Sequence, residues 1–230
     1  MAPSTTRQQP VLASFPFLTV EEFDSACCQF CDRVQVLEDS LNVHFTRRAV
    51  GPILSIRRRI ADVSVSAYDV LCLADESIRE WHVGAYEDDP EALIHIPESS
   101  VDLDVIYDVH LSPIYHVPVL YFTLRPTGHP GQLGIDAVYQ YLVPNQYRKE
   151  LQSVGVMGGI SLGYHPETGS PTFVVHPCNT ADAMRQIAGH QRVTPETYLI
   201  LWLGLVGNHL GLQLPMELFA ADEMERIPRS

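Results

Sequence analysis

Basic charge is scarce in this 230-residue chain, which has 15 lysine and arginine residues against 28 acidic ones and a formal net charge of −13. A nucleic-acid-binding domain presents a basic patch or stripe, and the main run of basic residues here is Arg57-Arg58-Arg59. Because Ile56 and Ile60 flank this triplet, we interpret it as a solvated strand end or turn. The composition therefore argues against nucleic acid and anionic membrane surfaces as partners.

Long apolar runs are also lacking. The longest, YLILWLGLVG at residues 198–207, falls well short of the roughly 20 residues that a membrane-spanning helix needs. The N-terminal stretch MAPSTTRQQPVLASFPF contains no apolar core of the signal-peptide type. We therefore expect no transmembrane segment and a cytoplasmic location.

Cysteines are few, and their spacing forms no framework. The five are an odd number in a chain long enough to build a core without disulfides: Cys27, Cys28, Cys31, Cys72 and Cys178. A closed zinc site needs four ligands, usually as two spaced pairs, and no second pair follows the first three cysteines. We predict that the chain binds no metal and needs no cofactor.

A long amphipathic helix is predicted over residues 19–42. Thr19 and Glu22 form a T-x-x-E capping box, which satisfies free backbone N–H groups at a helix start. Apolar residues then recur at spacings of four and three, as expected for a buried stripe: Phe23, Cys27, Phe30, Val34, Leu37 and Leu41.

The whole pattern predicts a loose arm over residues 1–16 and a single α+β domain over residues 17–230. Strand-rich segments fill the middle, and VDLDVIYDVHL and YHVPVLYFTLR show the period-two alternation of strands. The acidic, proline-broken segment 85–104 is interpreted as a surface excursion. Helices are predicted near residues 134–142, 145–154 and 180–188, and from Pro195 after a Thr194 cap.

One cysteine stands at a rigid corner, in PTFVVHPCNTADAM at residues 171–184. Pro177 fixes its own φ and keeps His176 extended, so the chain enters Cys178 on a set path. Thr180 is a suitable cap for the helix that follows. A helix N-terminus favours a thiolate, which makes Cys178 a candidate nucleophile. A buried structural cysteine at a strand end fits the same spacing.

Three segments in register resemble the autophagy-related protein ten family: FVVHPCNT, YHVPVLYF and YLILWLGLVGNHLGLQLP. The resemblance covers residues ~105–220 in order. It implies a ubiquitin-conjugating-enzyme-like fold, in which helices flank a curved antiparallel sheet. It also implies an enzyme that carries the ubiquitin-like autophagy-related protein twelve as a cysteine thioester. Its partners would be the activating enzyme autophagy-related protein seven and the acceptor autophagy-related protein five, modified on a lysine.

The resemblance assigns the thioester to Cys178 and supporting roles to His176 and Tyr115. Ordinary ubiquitin-conjugating enzymes stabilise the oxyanion with the Asn of a His-Pro-Asn motif. That motif is missing here, because His129-Pro130 precedes Gly131 and His165-Pro166 precedes Glu167. Tyr115, His176 and Asn179 are therefore the candidate oxyanion donors, while His165 is interpreted as a surface histidine.

The YHVPVLYF strand is a candidate acceptor-binding surface. Both of its faces are apolar, and Pro118 is typical of an edge strand or a bulge. An edge of this kind can pair with the backbone of another chain. On this basis we predict that Val119, Leu120 and Tyr121 contribute to acceptor binding.

Two alternative functions remain open, and a papain-like protease is a less suitable third class. The sibling enzyme of the autophagy-related protein three type shares His-Pro-Cys but continues His-Ala, where this chain has Asn179-Thr180, and it carries a long acidic insert. A catalytically idle interaction module of the same fold would not need Cys178. A papain-like protease would need a paired His and Asn or Asp, and its local signature around the cysteine is absent.

Overall fold

Six strands in the described part of the computed structural model form one antiparallel sheet, in the order β1-β2-β3-β4-β6-β5. They are β1 (Asn42–Arg48), β2 (Gly51–Val65), β3 (Ser99–Leu111), β4 (Pro118–Pro126), β5 (Ile160–Tyr164) and β6 (Pro171–Val175). The helices are α1 (Val20–Val36), α2 (Asn145–Gln152), α3 (Thr180–Ala188) and α4 (Pro195–Gly207), with short helical turns at Ile135–Ala137, Val138–Leu142, Pro177–Asn179 and Asn208–Leu210. The predicted α+β class with helices flanking an antiparallel sheet is confirmed.

The structure describes residues 11–36, 42–65, 99–129, 131–152, 159–189 and 191–219. Several predictions concern residues outside these ranges, namely Cys72, most of the predicted arm and most of the acidic segment 85–104. Where the arm is described, Leu12 is buried and its N–H donates to the Val193 carbonyl at 3.0 Å. The packed part of the chain therefore begins earlier than the predicted boundary at residue 16.

The capping box opens α1 as predicted. The Thr19 N–H donates to Glu22 Oε2 at 2.9 Å, and the Glu22 N–H donates to Thr19 Oγ1 at 3.1 Å. The other carboxylate oxygen of Glu22 accepts from the Ala13 N–H at 3.0 Å, so the same side chain fixes the segment that leads into the helix. The predicted C-terminal boundary was wrong, because Asn42 belongs to β1, a strand that the sequence analysis did not identify.

The core lies between the sheet and the helices α1 and α4. On one face of the sheet, alternate residues of the central strands are fully buried against these helices: Leu54, Ile56, Leu103, Val105, Tyr107, Leu120, Phe122 and Leu124. Tyr198 and Trp202 of α4 are buried, whereas Leu201 and Leu205 are half-buried. The Tyr107 hydroxyl donates to the Leu210 carbonyl at 2.7 Å, which ties the sheet to the turn after α4.

The prediction that YHVPVLYF forms an edge strand is wrong. Strand β4 lies inside the sheet, paired with β3 on one side and with β6 on the other. Leu120 is fully buried and Val119 nearly so, and the apolar character of both faces reflects this central position. Pro118 is the first residue of the strand, a place where a missing N–H is tolerated.

The arginine triplet also lies inside a strand, β2, rather than at a strand end or turn. Alternation along the strand places Arg57 and Arg59 on the sheet face opposite the helices, and both are exposed. Arg59 pairs with Asp104 of β3 at 3.2 Å. Arg58 points the other way and donates to the Gly211 carbonyl. Two arginines of the triplet therefore make contacts within the fold, one to the neighbouring strand and one to the segment after α4.

The turn between β5 and β6 is anchored to the outer face of the sheet, opposite the helices. His165 Nε2 lies 3.3 Å from His110 Nε2 and 3.4 Å from Asp108 Oδ2, and Glu167 pairs with Arg48 at 3.3 Å. His165 is therefore not the surface histidine that the sequence suggested, since 11% of its side chain is exposed. Because β6 leads directly to Cys178, this anchor fixes the strand that carries the candidate nucleophile.

A fall in pH should destabilise the folded protein through protonation of His110, which contacts the turn between β5 and β6. Burial, with a smaller contribution from neighbouring His165, lowers the pKa of His110 from 6.5 to about 4. The unfolded chain therefore binds more protons than the folded chain between these values, and stability falls as the pH drops through this window. We expect a loss of about 2 kcal/mol in the free energy of unfolding between pH 7.5 and pH 5.

Urea unfolding of the unmodified chain and of His110→Gln at both pH values measures this contribution. The variant should lose less stability on acidification than the unmodified chain. An identical pH dependence in both proteins would show that His110 does not carry the effect.

Candidate functional site

The corner predicted at Cys178 is present. Strand β6 ends at Val175, His176 is extended with φ −67° and ψ 130°, and a single 3-10 turn covers Pro177–Asn179 before α3 begins at Thr180. Asn179, rather than Thr180, is the residue that caps α3, and its side chain makes no capping hydrogen bond. The Cys178 side chain is exposed. The alternative of a buried structural cysteine is therefore wrong.

A single hydrogen bond links Cys178 to the histidine two residues before it. The Cys178 N–H donates to His176 Nδ1 at 3.2 Å, so the imidazole acts as the cap of the turn. A ring nitrogen that accepts a hydrogen bond carries no proton, and the neutral ring must therefore hold its proton on Nε2. This arrangement leaves Nε2–H as a hydrogen-bond donor on the residue two positions before the thiol.

Tyr115 packs on the same histidine. The two rings meet edge to face, with centroids 5.6 Å apart and planes at 78°. Tyr115 lies in the turn between β3 and β4, not on the strand itself, and its side chain is partly exposed. The structure thus brings together three of the predicted site residues, Cys178, His176 and Tyr115, with Asn179 next to them in the chain.

The turn that carries Tyr115 is tightly held. Ser112 Oγ accepts from the N–H groups of Ile114 and Tyr115 at 3.3 and 3.1 Å, and the Ser112 N–H donates to the Val117 carbonyl at 2.9 Å. His116 adopts a left-handed conformation with φ 53°, and its carbonyl accepts from the Leu18 N–H at 2.8 Å. Ser112 is a positioning residue that the sequence analysis missed, although Ser is typical of such turns.

Comparison with known proteins assigns the family. The family model described as "Autophagocytosis associated protein, active-site domain" matches residues 22–217, which includes the corner and the Tyr115 turn. The chain belongs to this family. Together with the relatives named next, this match confirms the predicted resemblance to the autophagy-related protein ten family and shows that the chain is a conjugating enzyme of autophagy.

Two named relatives agree with this family assignment. The chain is 42% identical over 238 residues to "Ubiquitin-like-conjugating enzyme ATG10" of Gibberella zeae, covering 90% of this chain and 98% of the relative. It is 28% identical over 219 residues to the Homo sapiens protein of the same name, covering 91% and 96% of the two chains. A solved structure described as "Crystal structure of Autophagic E2, Atg10" is 15% identical, with a TM-score of 0.48, and covers 86% of this chain and 99% of the solved one.

The other described cysteines are more buried than Cys178. Cys27 is fully buried in α1, and burial raises its pKa far above the ordinary value for a thiol. Cys31 is half-buried, and burial raises its pKa to about 11. Cys28 is half-buried as well, and its sulfur accepts from Arg47 Nη2 at 3.1 Å. None of the three combines the exposure and the corner geometry of Cys178.

Neither a metal-binding cluster nor a membrane-spanning helix is found in the described ranges. No group of three or more His, Cys, Asp or Glu side chains in these residues is arranged to hold a metal ion. Likewise, no helix there is long and apolar enough to cross a bilayer. The longest, α1, has 17 residues and a buried stripe that packs against α4 and the sheet.

Thiol reactivity should distinguish Cys178 from the other described cysteines. Alkylation needs an accessible thiolate, so we expect Cys178 to react first in the folded protein and Cys27 to react only after unfolding. Timed treatment with iodoacetamide, followed by peptide mass spectrometry, measures the order. Reaction of Cys27 as fast as that of Cys178 in folded protein would contradict the burial described above.

Proposed function

We propose that Cys178 carries autophagy-related protein twelve as a thioester and passes it to a lysine of autophagy-related protein five. The observation that carries this proposal is the exposed thiol of Cys178 at a corner fixed by Pro177 and by the hydrogen bond to His176. Membership of the autophagy conjugating family supports the proposal. Autophagy-related protein seven would supply the activated modifier.

The reaction consists of two acyl transfers. In the first, the Cys178 thiolate attacks the thioester that links the modifier to the activating enzyme, a new C–S bond forms, and the activating enzyme leaves as a thiol. In the second, a neutral lysine amine attacks the carbonyl carbon, a C–N bond forms, the C–S bond breaks and Cys178 is regenerated. A thioester is already reactive, so the protein mainly has to position the amine and stabilise the oxyanion.

His176 is suited to the second step as a hydrogen-bond donor rather than as a base. Its Nδ1 is occupied by the Cys178 N–H, which leaves Nε2–H to donate to an oxyanion that forms on the thioester carbonyl. Tyr115 restricts the orientation of this ring through the edge-to-face contact, and its hydroxyl is a second donor. Asn179 is a third candidate, because its side-chain amide makes no capping bond.

Two of the three residues predicted to bind the acceptor are unsuited to that role. Leu120 is fully buried beneath the helices, and Val119 is 5% exposed on the opposite face. Tyr121 is half-buried and its ring packs edge to face on His110, with centroids 5.2 Å apart. We therefore do not retain β4 as the acceptor-binding edge.

The alternative functions are less well supported. The named relatives with high coverage are conjugating enzymes of the ATG10 type, which favours the proposed branch over the autophagy-related protein three type. An exposed cysteine held by a specific hydrogen bond has no purpose in an idle interaction module. A papain-like mechanism would need the histidine as a base, whereas the Nδ1 contact and the resulting Nε2–H make His176 a donor.

Replacement of single cysteines tests which residue carries the thioester. With activating enzyme, ATP and autophagy-related protein twelve, the unmodified chain should form an adduct that a reducing agent removes. Cys178→Ser should give no such adduct, or at most an oxygen ester that resists reduction. Cys27→Ser, Cys28→Ser, Cys31→Ser and Cys72→Ser should charge normally. Loss of charging in any folded variant of those four would contradict the assignment.

The rate at which the preformed thioester is transferred to the acceptor in a single turnover tests His176 and Tyr115 as oxyanion donors. We expect His176→Ala and Tyr115→Phe to charge normally but to transfer to the acceptor more slowly, by about 10²–10³ for the loss of one oxyanion donor. His176→Asn is a matched control, since an Asn side chain can also accept from the Cys178 N–H and also donate. Unchanged discharge rates in both His176→Ala and Tyr115→Phe would exclude these side chains as donors.

A further inference from the structure

Lysine is almost absent from this chain. Of its 15 basic residues, 14 are arginine, and Lys149 is the one lysine. Lysine is among the commonest residues of soluble domains, so this ratio is unusual. Under the proposed function the enzyme carries a thioester whose natural fate is attack by a lysine amine. A lysine of its own near Cys178 would compete with the acceptor.

The single lysine lies on a different element from the one that follows Cys178. It lies in α2, and in the turn just before that helix the Tyr141 hydroxyl donates to the Ser64 carbonyl at 3.2 Å. Ser64 pairs with Ser100, at the start of β3. Cys178 lies near Tyr115, in the turn that follows the other end of the same strand.

The surface of α3 beside Cys178 carries an acid and an arginine. Asp182 follows Cys178 by four residues and lies in the first turn of α3, which begins two residues after the cysteine. Asp182 Oδ1 accepts from Arg185 Nη1 at 2.6 Å, and the Arg185 guanidinium lies 5.6 Å from the centre of the Phe17 ring. Neither residue can form an amide with the modifier as a lysine would, because the arginine side chain stays protonated in proteins and the aspartate has no amine.

We propose that the enzyme protects its thioester by excluding primary amines from the surface around Cys178, with arginine supplying the positive charge there. This inference rests on the proposed function. A tethered amine needs no binding step, and its effective concentration is on the order of millimolar. A lysine on α3 would therefore form an amide with the modifier: the C–N bond forms, the C–S bond breaks, the amine releases a proton and Cys178 leaves as the thiol.

Two substitutions at one exposed position separate the effect of a primary amine from the effect of a positive charge. Asp182→Lys and Asp182→Arg reverse the same charge and remove the same ion pair, but only the first introduces a primary amine. Each is charged with activating enzyme, ATP and autophagy-related protein twelve, ATP is then removed, and the adduct is followed on reducing and non-reducing gels. The thioester of Asp182→Lys should decay at least about tenfold faster than that of Asp182→Arg.

Decay of Asp182→Lys should yield a reduction-resistant adduct, which mass spectrometry maps to residue 182. The unmodified chain and Asp182→Arg should form no amide adduct, including none on Lys149. A second pair, Ala181→Lys and Ala181→Arg, repeats the comparison if the Asp182 variants do not fold.

The outcomes separate this inference from the proposed function. Equal thioester lifetimes in the Lys and Arg variants, while added free lysine discharges both, would overturn the inference and leave the function standing. An amide adduct on Lys149 in the unmodified chain would also overturn it. Failure of the unmodified chain to charge at all would overturn the proposed function, and the inference with it.

Discussion

The hydrogen bond from the Cys178 N–H to His176 Nδ1 is the interaction on which the site depends. It sets the path of the chain through Pro177, it fixes the tautomer of the imidazole, and it leaves the thiol exposed at the start of α3. One contact thus positions both the candidate nucleophile and the candidate donor. Tyr115 then closes the other side of the imidazole through its ring contact.

The sheet supports this corner from two directions. On the helical face, β6 contributes Phe173 and Val175 to the buried core. On the outer face, the turn before β6 is held by His165 against Asp108 and His110. Strand β6 pairs with β4 over three residues and with β5 over five, and the contacts on its two faces add to these ladders. A short strand held at both edges and on both faces can present a reactive residue at its end.

Local features were predictable from the sequence, and features that depend on strand pairing were not. The capping box of Thr19 and Glu22 and the corner at Pro177 depend on neighbouring residues, so their geometry follows from residue types and spacing. The edge assignment of β4 was wrong because an apolar pattern on both faces is shared by buried central strands. The role of His165 was missed because its partners, Asp108 and His110, are more than fifty residues away in the chain.

The tautomer of His176 tests the account most directly. Long-range ¹H–¹⁵N NMR of the ¹⁵N-labelled protein distinguishes protonated from unprotonated imidazole nitrogens, and the signals of His176 are identified by their loss in His176→Asn. The account predicts, at neutral pH, an unprotonated Nδ1 and a protonated Nε2. A proton on Nδ1 would contradict it, because the hydrogen bond from Cys178 and the Nε2–H donor would then both be absent.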